Sequence, residues 1–294
     1  VVAGVDHCYH ISCVTPDRVW INDLNNLILA DIKTGVTMKR LPIVPAINFG
    51  IFGLHSVNSE CELIYIENYS TIKKYCNDMT TKTVLKSKKR RNSDWLLLCV
   101  YCSPSTDDLL IGKKRVKTNE SQVTRYNKLG KLTQTIQNDK DGQALYRFPR
   151  FITENNNGDV VVSDQIDDSH GAVVVTDRGG RHRYSYKGDS PGSKILPFGI
   201  CTDAFSNILV CDIRTYIIQM IEENGRFSGC WQHKSQGMPK LPISLSYDSN
   251  THRLWVGLLD KNEVYANRYI HRQPHLTGMS LHSLIIFDKV YNNY

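Results

Sequence analysis

Four side chains able to bind metal fall within seven residues near the start of the chain: His7, Cys8, His10 and Cys13, in the run DHCYHISC. Imidazole nitrogen and thiolate sulfur are the donors of zinc sites, where four of them converge on a tetrahedron. An extended backbone sends successive side chains to opposite faces. Cys8 and His10 would then face one way and His7 and Cys13 the other. One tetrahedron cannot be built from that split, so no metal site is expected. Cys99 and Cys102 form a C-x-x-C, but a redox pair would want it to open a helix. In a strand their odd separation points the two thiols apart. Asp23, Asp164 and Asp212 recur at one place in a repeated pattern, with Asn68 there in the second copy. Recurring carboxylates could hold a divalent cation, which would make the chain an enzyme of lactonase or lyase type. The simpler reading is that each caps its own turn by accepting backbone N–H bonds. Leu258 in the sixth copy and the lack of an accompanying His favour the caps. No nucleophile elbow and no phosphate loop is present.

The remaining chemistry is cationic. The net charge is +7. Residues 73–131 hold 15 Lys and Arg against 5 Asp and Glu, whereas 148–294 hold 15 of each. Lys86, Lys88, Lys89, Arg90 and Arg91 form KSKKRR, and Lys113, Lys114, Arg115 and Lys117 follow a short apolar run. Such density suits phosphate, with Arg able to bind bidentately and Lys acting as a point charge. The plain alternative is a solvated loop that aids solubility, and no obvious stacking aromatic flanks KSKKRR.

The elements that must position these groups are strands. Segments of 4–8 residues rich in Val, Ile, Leu, Tyr and Trp alternate with Asn, Asp, Gly, Ser and Pro clusters. No stretch keeps a helical period for three turns. A long period is also present. VWIND ends at Asp23, IYIEN at Asn68, LLIGK at Lys113, VVVSD at Asp164, ILVCD at Asp212 and LWVGL at Leu258, steps of 45, 45, 51, 48 and 46 residues. Each of these strands follows a shorter one, and in most copies a third strand, a polar turn and a fourth come after it. Four antiparallel strands repeated six times predict an all-β, six-bladed β-propeller. In such blades the fourth-to-first and second-to-third connections emerge at one end. KSKKRR falls in the first kind, and Lys113 to Lys117 are expected in the second, which gathers nine cations in one sector.

The 294 residues, 41% apolar and 22% charged, can build a sizeable core and exclude wholesale disorder. No apolar run approaches the roughly 18 residues that span a bilayer, and no signal peptide is visible. Nine cysteines, mostly single within apolar runs, read as reduced buried thiols. A cytoplasmic location follows as the expectation.

Residues Pro197–Phe227 carry a Pro-x-Gly-Ile opening, Asp203, the run NILVCD and a Glu-Asn-Gly turn. This stretch resembles one NHL repeat. RFITENNNGDVVVSD and GAVVVTDRGGRHRYSYKG resemble the C-terminal propeller of mollusc tripartite-motif (TRIM-like) proteins, a similarity spanning roughly Asp6 to Arg272. The triplet that names the repeat reads Thr215-Tyr216-Ile217 in blade five and is lost elsewhere. The resemblance implies an NHL-like propeller at 1–272 and a non-enzymatic recognition module. Its partner would be a client protein or single-stranded RNA, without cofactor, membrane or small-molecule substrate. No RING ligands or heptads occur here, so ubiquitin-ligase activity would lie outside this sequence. Blade six lacks an immediate fourth strand after its third. Two donors could close it, Val1–Val5 or Ser280–Tyr291 in the tail 273–294, and the tail is the expected one.

Overall fold

The computed structural model describes residues 5, 7–43, 53–87, 95–115, 117–231, 241–259 and 264–268. Blade one holds β1 (His10–Thr15), β2 (Arg18–Asn22), β3 (Asn26–Asp31) and β4 (Val36–Pro42). Blade two holds β5 (His55–Val57), β6 (Leu63–Glu67), β7 (Thr71–Tyr75) and β8 (Thr81–Lys86), and blade three β9 (Trp95–Cys102), β10 (Leu109–Arg115), β11 (Ser121–Tyr126) and β12 (Leu132–Ile136). Blade four holds β13 (Pro149–Glu154), β14 (Val160–Gln165), β15 (Gly171–Thr176) and β16 (His182–Tyr186). Blade five holds β17 (Pro197–Thr202), β18 (Ile208–Asp212), β19 (Ile217–Ile221) and β20 (Phe227–Trp231). Blade six has β21 (Pro242–Asp248), β22 (Arg253–Leu258) and β23 (Val264–Arg268) among the described residues. Every sheet is an antiparallel meander in chain order. The chain is a six-bladed β-propeller, as the repeat predicts.

The apolar runs of the second strands have a direct cause. Val160 and Val162 of β14 pack toward blade three, with Cys99, Leu110 and Val123. Val161 points the other way, into the cluster shared with blades five and six. A strand buried on both faces has no solvent side, so it reads as a continuous apolar run rather than an alternating one. Blades one and six meet in the same manner around Ile11, Ile21, Ile28 and the fully buried Trp255.

The first strands line the central axis and are stitched blade to blade through side chains. Ile11 N–H donates to Ser244 Oγ at 2.9 Å and Cys13 N–H to Ser246 Oγ at 3.0 Å, joining blade one to blade six. Cys102 N–H donates to Ser56 Oγ at 3.0 Å, joining blades three and two, and Thr202 Oγ1 donates to the Glu154 carbonyl at 2.7 Å, joining five and four. Inner strands that radiate from an axis cannot form a ladder with one another, so short hydroxyl side chains satisfy the facing backbone groups. Gly199 marks a close approach of blade five to blade six, since a Cβ there would lie 2.4 Å from Ser244 Cα.

Among the described residues there is no helix, hence none long and apolar enough to cross a membrane. Of the two donors expected to close blade six, the tail 273–294 and residues 1–4 lie outside the described residues. Val5 is buried with the cluster between blades six and one.

Gly199→Ala should therefore destabilise the fold by about 1–3 kcal/mol, the usual range for overpacking against backbone that cannot retreat. Urea unfolding followed by tryptophan fluorescence reads this directly, and an unchanged midpoint would mean the blade-five to blade-six seam is loose.

Candidate functional site

The expected basic cluster is placed in part. Lys86 is the exposed last residue of β8, and Lys117 lies exposed in the turn after β10. Lys88, Lys89, Arg90 and Arg91 lie outside the described residues. The structure corrects one expectation: Lys113, Lys114 and Arg115 are not in the second-to-third turn but on β10 itself, paired with Leu97, Leu96 and Trp95. The strand runs two to three residues further than its apolar core because Trp95 and the residues after it supply partners to the end. Both segments abut one turn of blade two, through Ser87 N–H to the Ser70 carbonyl at 2.7 Å and Leu97 N–H to the Tyr69 carbonyl at 2.8 Å.

A β-bulge decides what the cations meet. The β9–β10 register runs Ile111 to Val100 and Gly112 to Cys99, then shifts so that Lys113 faces Leu97. Leu98 is the extra residue. By strict alternation Trp95 would share a face with Cys99 and Tyr101. Across the bulge it joins Leu97, Val100 and Cys102 instead, on the face of Leu109, Ile111, Lys113 and Arg115. The Trp95 indole consequently carries two cations, Lys113 Nζ at 5.3 Å and Arg115 Cζ at 4.6 Å from its centroid. Lys114, on the opposite face, lies 5.3 Å from the Phe148 ring and donates to the Arg147 carbonyl at 3.0 Å. Arg150 stacks between Phe148 at 5.1 Å and Phe198 at 4.8 Å. Cations and rings thus alternate from blade three to blade five at the end where KSKKRR departs. Trp95 stands four residues beyond Arg91 in sequence, and its ring meets Lys113 and Arg115.

Crowded cations beside apolar rings resist their charge. Burial, then the neighbouring Arg115, pushes Lys113 down to about 8. Lys114 is lowered by burial and by Arg147. Arg115 is partly balanced by Glu120 at 2.7 Å.

The other candidates resolve into structure. His7 Nδ1 lies 2.7 Å from the Leu259 carbonyl, Cys8 is fully buried, and His10 and Cys13 line the central channel. Cys99 and Cys102 sit in different clusters on opposite faces of blade three. Asp23 Oδ1 accepts the N–H groups of Asn25 at 2.8 Å and Asn26 at 2.6 Å. Asp164 accepts from Arg147 and Phe148 N–H, and Asp212 from Leu196 N–H, Arg214 N–H and Thr215 Oγ1. These carboxylates tie the end of the second strand to a turn or to the segment entering the first. Among the described residues no three His, Cys, Asp or Glu side chains converge on a point where a metal would bind.

Sequence reasoning named no side chain lining the central channel. It encloses about 410 Å³ along the first strands of all six blades and opens toward their first-to-second turns. His10 and His55 stack there, ring centroids 4.1 Å apart, from blades one and two. Their spacing of 45 residues equals one repeat step, the signal that would have put them on neighbouring inner strands.

No family model matches the chain, and no curated protein does. Solved structures match it in fold. A catalytically inactive virginiamycin B lyase from Staphylococcus aureus, with quinupristin, superposes with TM-score 0.61 at 16% identity, over 97% of this chain and 85% of that one. A protein of unknown function from Bacteroides thetaiotaomicron gives 0.65 at 13%, over 88% and 68%. A calcium-binding protein, regucalcin, from Agrobacterium tumefaciens gives 0.59 at 14%, over 86% and 82%.

The buried Asp164 supplies a pH test. Desolvation pushes its carboxyl from 3.8 up to about 7, against the Arg147 and Phe148 N–H groups and the Lys114 and Arg147 charges that lower it. The folded chain then holds this proton more tightly than the unfolded one. The resulting stabilisation is complete below about pH 4 and lost as pH rises through 7. Asp164→Asn cannot ionise, so the stability of the unaltered protein relative to this variant should fall between pH 4 and 7 in urea titrations. A constant difference would contradict the burial of a titrating carboxyl.

Proposed function

We propose that this propeller is a non-enzymatic recognition module that binds single-stranded RNA at the end of blades two to four carrying Lys86, Lys113, Lys114, Arg115 and Lys117. The observation that carries this reading is the bulge-placed Trp95 with Lys113 and Arg115 against its ring. Single-stranded nucleic acid is held where a stacking surface and phosphate-neutralising cations coincide. Arginine on an indole adds a planar, stackable face beside its charge. The likeness of Pro197–Phe227 to an NHL repeat supports the same role, with the propeller as the substrate-recognition end of a tripartite-motif protein acting in the cytoplasm. An acidic client protein would use the same charges without needing the rings.

The enzyme reading, with a divalent cation in the channel, has less behind it. The channel carboxylates among the described residues are already committed. Glu154 pairs with Arg125 at 2.5 Å, and Asp203 accepts the N–H groups of Phe205 and Asn207, each at 2.8 Å.

Fluorescence anisotropy with a labelled pool of single-stranded RNAs tests the proposal. Affinity should fall with salt along a log–log slope of about 0.7 per phosphate neutralised. Lys113→Glu with Arg115→Glu should flatten that slope and weaken binding sharply, and Trp95→Ala should cost about 1–3 kcal/mol. Equal affinity in these variants would remove the site. Loss in the charge variants with none in Trp95→Ala would favour an acidic protein.

A second expectation concerns protons. A phosphate beside Lys113 restores the charged form that burial disfavours, so binding takes up a proton. Affinity should therefore decline as pH rises through 8, the value to which Lys113 is lowered. A flat profile from pH 7 to 9.5 would show that Lys113 does not meet the ligand.

A further inference from the structure

The central channel holds a second site, independent of the basic end. Every blade contributes its first strand to the wall, and the stacked pair His10 and His55 stands within it. His55 N–H donates to His10 Nδ1 at 3.4 Å. An imidazole nitrogen that accepts must carry a lone pair, so a neutral His10 bears its proton on Nε2. Burial, and then the facing His55, keep His10 in that neutral form. The ring therefore brings an N–H donor to the channel.

His55 is one partner short. The residue is 1% exposed, Ser12 Oγ lies 3.0 Å from Nδ1, and Nε2 has no hydrogen-bond partner. Buried polar atoms left in this state are rare and mark either a missing water or a missing ligand. Two further hydroxyls have spare capacity. Ser56 and Ser246 each accept a backbone N–H through Oγ, from Cys102 and Cys13, and each retains its own proton to donate. Donors thus face the channel from blades one, two and six.

The wall also says what would not fit. It contains no lysine or arginine among the described residues, and its acidic side chains there are Glu154 and Asp203. A phosphate or carboxylate ligand would meet no cation there. An ammonium would offer no acceptor to the His10 N–H or the serine hydroxyls. A volume of about 410 Å³ is within the range of small-molecule pockets. We propose that the channel binds an uncharged small molecule rich in carbonyl or hydroxyl oxygen, of monosaccharide or small-amide size, held by His10, Ser56 and Ser246.

Ligand-detected NMR on the full chain tests this with three separate mixtures: neutral sugars, alcohols and amides; carboxylates and phosphates; and amines. Binding is expected from the neutral mixture, undiminished by saturating single-stranded RNA and unaffected by Lys113→Glu with Arg115→Glu. Adding the bound compound to the unaltered protein should shift the His10 Nε2 resonance, and His10→Phe should weaken binding at least tenfold. Hits confined to charged mixtures would overturn the ligand class. No hit from any mixture would overturn the site. A bound compound that leaves His10 Nε2 unmoved would place binding elsewhere, and this last reading does not require any variant to fold.

Discussion

A four-stranded sheet that is apolar on both faces has no stable place in water except between two others like it. That constraint governs this chain. Val160, Val161 and Val162 succeed one another with alternate residues committed to different neighbours, so no blade is finished without the next. The hydrophobic driving force is spread around the ring. At the axis the inner strands form no ladder between blades and are joined by individual bonds such as Ile11 N–H to Ser244 Oγ and Val100 N–H to the Gly53 carbonyl.

Both candidate sites grow from this geometry. At one end, strands run past their apolar core, and the residues that follow must be polar yet still pack. Lys113 and Arg115 meet this demand by laying aliphatic stems and charged heads against Trp95. Along the axis, the first strands leave a tube too wide for backbone pairing, and His10 and His55 occupy part of it. The first site is cationic and open. The second is buried, hydroxyl-lined and without a cation among the described residues. Their chemistries do not overlap, so the two proposed ligands would not compete.

Much of the fold was legible because a propeller writes its period into its second strands. Asp164 and Asp212 recur for a structural reason, holding the end of one strand to the entry of another, and that regularity is visible in sequence. The bulge was not legible. Leu98 lies within the run WLLLCVY, where every residue is apolar or aromatic, and nothing there marks which one is extra. Alternation counted straight through would put Trp95 on the face of Cys99 and Tyr101, away from Lys113 and Arg115. The histidine pair escaped for a different reason. His10 was weighed against its sequence neighbours, Cys8 and Cys13, whereas its contact is one blade away.

The central claim is that a partner nucleic acid lies on the Trp95 end of the propeller. Ultraviolet crosslinking of bound single-stranded RNA, followed by peptide mapping, tests it most directly. The account predicts crosslinked nucleotides on the peptide holding Trp95 and on the β10 end through Lys117. Crosslinks confined to the opposite turns, around 103–108, 155–159 and 203–207, would contradict it.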